Sequence, residues 1–185
     1  MTNPNIFEDS TIVKPEETSM ICEWIAPGKN IKTKLLFRCT RDGDKGDTFH
    51  SFCDNKGPTI TFIEEKNGYR VGGFTSLPWT RNNEVLEDEK LFLFSLNNKT
   101  KIVNENHKVP VAHMEGYGPS FGKPFNPETC ELVVNNYMCK CLTGKMNFSK
   151  EKEGYNFSNK ILFGRDNEKT YNFCVRDYEV YSIEY

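Results

Sequence analysis

Apolar residues recur along this chain in two rhythms. Near the start, Met20 and Trp24, and Ile21 and Ile25, repeat at four-residue spacing, which predicts a short helix over 16–25 stopped by Pro27-Gly28. Beyond it the spacing shortens to apolar runs and alternation bounded by turn residues. Leu35-Leu36-Phe37 predicts a buried strand over 34–40, followed by turn chemistry at Arg41-Asp42-Gly43-Asp44. Asp47 is placed to N-cap a short helix carrying Phe49, Phe52 and Cys53 near one face, and Asn55-Lys56-Gly57-Pro58 breaks it. The clearest local signal is Asn67-Gly68 between the alternating Thr59-Ile60-Thr61-Phe62 and the segment 69–75, which reads as a β-hairpin. Gly72-Gly73 in its return strand predicts a bulge, a positive φ or a close backbone approach.

Residues 81–90 read as a charged loop, 91–96 as an apolar strand, and Asn97-Asn98 as a turn into Lys101-Ile102-Val103. Val109-Pro110-Val111 reads as an edge strand, because proline cannot donate to a ladder. Residues 116–124 form a Gly/Pro loop, Leu132-Val133-Val134 a short strand, and 171–183 a closing strand with alternating Phe173 and Val175 and, later, Val180. Many short strands and few helices point to a two-sheet antiparallel β-sandwich with a few short flanking helices. Residues 1–17 are expected to be an N-terminal arm and 18–185 the domain, with a polar insert at about 147–160.

Composition narrows the function classes. A chain of 185 residues with 14 Phe has ample apolar payload for one core, so no metal or disulfide staple is needed. A formal net charge of −2 excludes a general nucleic-acid binder, which would carry a basic excess. No run approaches the length that spans a bilayer, and the polar, acidic first ten residues lack the form of a signal peptide. Seven cysteines, odd in number and irregularly spaced, fit a reducing compartment, so a cytoplasmic location is expected.

Each candidate chemical motif is incomplete. Gly118-Pro119-Ser120-Phe121-Gly122 matches G-x-S-x-G, but His50, His107 and His113 all precede Ser120, against the hydrolase chain order, and a structural loop is the better reading. Asp42-Gly43-Asp44-Lys45-Gly46-Asp47 begins like an EF-hand loop but has Gly46 at the fifth position, Asp47 at the sixth and Cys53 at the twelfth. His50 and Cys53, with Cys39 nearby in sequence, lack the paired spacing of a zinc site. His113-Met114-Glu115 lacks the cysteine pair that a zinc deaminase needs. No phosphate-binding glycine motif is present, so no cofactor is expected.

The ordered motifs resemble the TLDc domain, the domain of oxidation-resistance proteins. The resemblance opens with Leu36-Phe37-Arg38 and Arg41-Asp42-Gly43. It continues with Phe49-His50, Cys53-Asp54, Lys56-Gly57-Pro58-Thr59 and Thr61, then Gly72-Gly73-Phe74-Thr75-Ser76, Trp79 and 91–96. Gly118 to Gly122 follow, and Phe173, Val175, Glu179, Val180 and Ile183 end it. It covers about 18–185 and departs from the family pattern at Lys123-Pro124-Phe125-Asn126-Pro127 and in the 147–160 insert. The resemblance implies a β-sandwich, protection against oxidative stress and, for several members, regulation of the vacuolar proton-pumping ATPase by direct binding, with no cofactor and no catalytic residue. The expected partners are therefore proteins, such as vacuolar ATPase subunits, with the chain cytoplasmic or peripheral to an organelle membrane. The alternative is a structural subunit of a large cytoskeletal or ciliary assembly. A hydrolase using Ser120 is the third reading.

Overall fold

The structure is a computed structural model and describes residues 5–103, 109–122, 131–135, 143–147 and 170–185. A 3-10 turn (Pro15–Glu17) leads into α1 (Thr18–Ile25), followed by β1 (Lys32–Arg38), the helical turn α2 (Cys39–Asp42) and α3 (Gly46–Cys53). The strands β2 (Thr59–Glu65), β3 (Arg70–Thr75), β4 (Glu84–Asp88), β5 (Phe92–Ser95) and β6 (Thr100–Val103) come next. The remainder is β7 (Val109–His113), β8 (Ser120–Phe121), β9 (Glu131–Asn135), β10 (Thr143–Asn147) and the 15-residue β11 (Thr170–Glu184).

These strands form two antiparallel sheets that share β11. In the first, β11 lies between β1 and β2, and the order continues β2-β3-β5-β6. In the second, the order is β4-β7-β8-β9-β10 and then the first residues of β11. Thr170 to Cys174 pair with β10, whereas Val175 to Ser182 pair with β2 across an irregularity between Val175 and Asp177. A bulge of this kind bends a strand and lets it pass from one sheet to the other. The expected β-sandwich with short flanking helices is the observed architecture.

The apolar residues divide into two cores. Between the sheets lie Phe37, Phe49, Ile63, Val71, Trp79, Phe121, Leu132, Phe173 and Val180. The outer face of the first sheet carries Ile60, Phe62, Phe74, Phe94 and Tyr181, covered by Phe7, Ile12, Val13, Ile21 and Cys22. The first sheet is therefore buried on both faces, which is why β3 is buried at all six positions and β5 at all four.

Several local expectations change. From residue 6 onward the segment read as an arm is packed onto the sheet; its apolar minority, Phe7, Ile12 and Val13, is buried while exposed Glu8, Asp9 and Lys14 give it a polar average. Residues 84–88 of the expected charged loop are β4, paired with β7 from Glu84↔His113 to Asp88↔Val109. Backbone pairing holds them extended while Val85, Leu86 and Glu87 face solvent. Val109-Pro110-Val111 is not at an edge, since β7 lies between β4 and β8. In a strand the N–H and C=O of one residue point to the same side. Pro110 turns its carbonyl to the Gly122 N–H at 2.8 Å, so its missing donor does not face the ladder with β4. The N-cap of α3 is Lys45, and Asp47 sits in the first turn instead, where its charge still suits the helix dipole. The strand expected over 34–40 ends at Arg38, and Cys39 opens α2. The insert residues 148–160, together with Lys123 to Pro127 and His107, lie outside the described residues.

Candidate functional site

The motif residues gather into three structural knots. The first lies where β1 and α2 meet the closing strand. Glu179, fully buried, accepts from Arg38 Nε at 2.9 Å, Ser10 Oγ at 2.5 Å and Thr11 N at 2.9 Å. Two residues earlier, Asp177 accepts from Thr40 N at 3.0 Å and Thr40 Oγ1 at 2.7 Å, which pins α2 to the same strand. Asp42 accepts from Arg38 N at 2.9 Å and from Arg41 Nη2 at 2.7 Å. The hydrogen bond from Arg41 is the chief reason the Asp42 carboxyl sits below the usual carboxylate range. Both Asp42 oxygens are thus committed to protein donors, and the EF-hand-like run is a capped turn in which Gly43, at φ 114°, donates to the Cys39 carbonyl.

The second knot joins α3 to the loops of the second sheet. His50 is buried, with Nδ1 2.6 Å from Asp54 Oδ1 and Nε2 3.0 Å from the Met114 carbonyl, so both ring nitrogens are engaged. Asp54 also accepts from Arg81 Nε at 3.0 Å and lies in a parallel bridge with Trp79. The Trp79 indole donates to Thr59 Oγ1 at 2.9 Å and stands edge-on to Phe49 and Phe121, with centroids at 5.4 and 5.7 Å. The neighbouring His113 accepts through Nδ1 from Thr80 N at 3.1 Å, and desolvation by burial is the main cause that depresses its pKa. Cys53 is fully buried, and Lys56, Gly57 and Pro58 lead from α3 into β2; the Pro58 carbonyl accepts from Ile183 N at 2.9 Å.

The third knot is the Gly-rich loop. Gly118 donates to the Val134 carbonyl at 3.0 Å, and Gly122, at φ 119°, donates to Pro110. Ser120 is fully buried and its hydroxyl donates to the Gly118 carbonyl at 3.1 Å. No histidine among the described residues hydrogen-bonds it: His50 and His113 are turned to the partners above. That hydroxyl is shielded from solvent and committed to its own loop. Phe74 stacks on Phe92 at 5.1 Å on the outer face, while Phe173 and Val180 fill the inner core.

The motifs thus converge, but on packing and hydrogen bonding. Among the described residues no group of three or more metal-ligating side chains is gathered, and no helix is long and apolar enough to cross a membrane. Ser10, Thr11 and Asp177 were missed at the sequence level. Nothing in the local pattern marks them, because Ser10 meets Glu179 across 169 residues of chain.

Fold and site together define a β-sandwich whose characteristic polar residues are spent on holding loops and strands together. The TLDc domain family model matches residues 6–184, nearly the whole chain, and the chain belongs to that family. Three curated relatives share a shorter stretch. The MTOR-associated protein MEAK7 of Mus musculus is 31% identical over 72 residues, 39% of this chain and 16% of that protein. The Danio rerio protein of the same name is 29% identical over 69 residues, and that of Gallus gallus 31% over 65, in each case about a third of this chain. The match spans at most 16% of the length of these relatives.

Proposed function

We propose that this chain is a non-enzymatic, protein-binding regulatory module of the TLDc type, acting on the vacuolar proton-pumping ATPase by direct binding. The observation that carries the non-catalytic part is the fate of the motif residues. Ser120, His50, Asp54 and Glu179 are bonded into the scaffold, and the nucleophile candidate is sealed from solvent. Specificity then rests with exposed residues around that scaffold. Protection against oxidative stress follows, in this reading, from regulation of a partner. Cys39 and Cys53 are not the source of that protection: both are buried, and burial pushes the Cys39 thiol up to about 12 and that of Cys53 higher still.

A second partner class is favoured by the name of the relatives, which are described as associated with mTOR. The discriminating experiment is affinity capture with the full chain from native lysate, with subunits of the proton pump and of mTOR-containing complexes quantified side by side. Enrichment of pump subunits, retained when Ser120 is changed to Ala, is expected. Enrichment of mTOR components without pump subunits would favour the second partner. Cytoskeletal or ciliary polymers alone would favour a structural subunit.

A further inference from the structure

The first knot fastens the N-terminal segment as well as the closing strand. Three consecutive residues of that segment converge on one ion pair, that of half-buried Arg38 with fully buried Glu179. Arg38 Nη2 donates to the Asp9 carbonyl, Ser10 Oγ donates to Glu179 Oε2 at 2.5 Å, and Thr11 donates to Glu179 Oε1 through N at 2.9 Å and Oγ1 at 3.1 Å. Ser10 Oγ also accepts from Ile12 N at 3.1 Å and Val13 N at 2.8 Å, which turns the chain so that both apolar side chains face the sheet. Upstream, Phe7 stands edge-on to Phe62 and Tyr181, with centroids at 5.2 and 5.1 Å. The segment is therefore a strap over the outer core, latched at Ser10-Thr11.

In the latch both hydroxyls act as neutral donors to Glu179. Among the described residues, Arg38 is the cation within ion-pair distance of Glu179, and the Glu179 carboxylate is fully buried. A phosphate monoester carries about −1.5 to −2 charges at neutral pH and offers acceptors where Glu179 needs donors. Placed here it would repel a carboxylate that cannot move into water without leaving the strand. Thr11 is solvent-exposed and Ser10 half-buried, with Glu8 and Asp9 exposed beside them, so the site lies at the surface although its anchor does not.

We infer that Ser10-Thr11 is a phosphorylation site, and that phosphate on either hydroxyl releases residues 7–13 from the outer face of the first sheet. A protein kinase supplies the group from a nucleoside triphosphate. The hydroxyl oxygen forms the new P–O bond, the bond from the γ-phosphorus to the β–γ bridging oxygen breaks, the diphosphate leaves and the hydroxyl proton is lost. Hydrolysis of the ester by a phosphatase restores the latch. Release uncovers Phe62 and Tyr181 while leaving the inter-sheet core closed, so it is a local opening. The inference stands apart from the choice of partner proposed above.

The test installs phosphoserine at 10, or phosphothreonine at 11, in the full chain and follows amide hydrogen exchange. The amides of Thr11, Ile12 and Val13 are expected to exchange about tenfold or more faster, with β3 and β5 as protected as before. The neutral Thr11→Val control, which keeps the Thr11 N–H bond to Glu179 and the Ser10 hydroxyl, should give less than about a third of that effect. Adding Glu179→Gln to the phosphorylated chain should recover protection, and if that variant does not fold, screening by about 1 M salt should recover it in part. Unchanged exchange in the phosphorylated chain, or equal loosening by Thr11→Val, would overturn release by phosphate. Mass spectrometry of the protein from its own growing and stressed cells should find phosphate at 10 or 11, and its absence in both would overturn the site.

Discussion

Arg70 and Glu17, 53 residues apart, form a bidentate pair in which Nη1 meets Oε2 and Nη2 meets Oε1, both at 2.7 Å. Both residues are buried, and Arg70 Nη1 also donates to the Ile12 carbonyl at 3.0 Å. One guanidinium on β3 therefore holds both the strap and the entry to α1.

Removing one partner of a buried pair leaves an uncompensated charge. Glu17→Ala should lower stability by about 3–5 kcal/mol, read as a shifted urea midpoint, because the Arg70 guanidinium is stranded under the strap. Replacing Glu17 and Arg70 together with apolar residues of similar volume should cost much less than the sum of the single changes. Additive losses would show that the two groups are not coupled.

Gly72 and Gly73 are required by neighbours on opposite faces of one strand. The β2–β3 register runs unbroken from Thr59↔Thr75 to Glu64↔Arg70, and neither glycine has a positive φ, so close approach is the reason for both. A Cβ on Gly72 would run into the Thr61 carbonyl and the Phe94 ring, and one on Gly73 would lie 2.8 Å from the Phe121 ring. Gly73→Ala should cost about 1–3 kcal/mol, and Gly72→Ala more, because a backbone carbonyl yields less than a ring. Phe121→Leu should offset part of the Gly73→Ala loss, and thermal melts of the double variant would measure that coupling.

Ser120→Ala removes one buried hydrogen bond and is expected to cost only about 0.5–1.5 kcal/mol. Partner binding and any cellular phenotype should persist. A fluorophosphonate probe should leave Ser120 unlabelled in the native protein, and covalent labelling there would restore the hydrolase reading.

The buried thiols set an alkaline limit. In the unfolded chain Cys39 and Cys53 ionise near 9.0, whereas in the fold burial raises both, Cys39 to about 12. The unfolded state therefore gives up protons first, so stability falls as pH rises from about 9 toward 12, by about 1.4 kcal/mol per pH unit for each fully retained thiol. Urea midpoints measured across that window should decline, and Cys53→Ala should flatten the decline while lowering stability at pH 7. Iodoacetamide at pH 8 should modify the half-buried Cys174 before the buried Cys22, Cys39 and Cys53. Rapid modification of Cys53 in the native chain would contradict its burial.

Local chemistry made much of this fold legible in the sequence. Asn67-Gly68 marks its hairpin because the Gly68 φ of 87° suits glycine, and β2 and β3 flank that turn as expected. The repeat Ile21/Ile25 marks a helix because its spacing matches one turn, and the alternation of Phe173 and Val175 marks a strand with one face inward, a face that Val180, five residues on, shares only because the register shifts between Val175 and Asp177. The ordered TLDc motifs pointed to the family on the same footing, since each is a short local string.

What the sequence by itself determined, then, is the set of turns, the strand and helix segments with strong periodicity, and the family. Only the tertiary structure decided the rest. The acidic segment 84–88 becomes β4 because β7 supplies its hydrogen bonds, not because of its own residues. The segment before α1 becomes a strap because Glu179 and Arg70 meet it from strands far along the chain. Gly72 is explained by the Thr61 carbonyl and the Phe94 ring, and Gly73 by the ring of Phe121. In each case the deciding contact is between residues distant in sequence, and its free energy comes from burial and pairing that exist only once the sheets have closed.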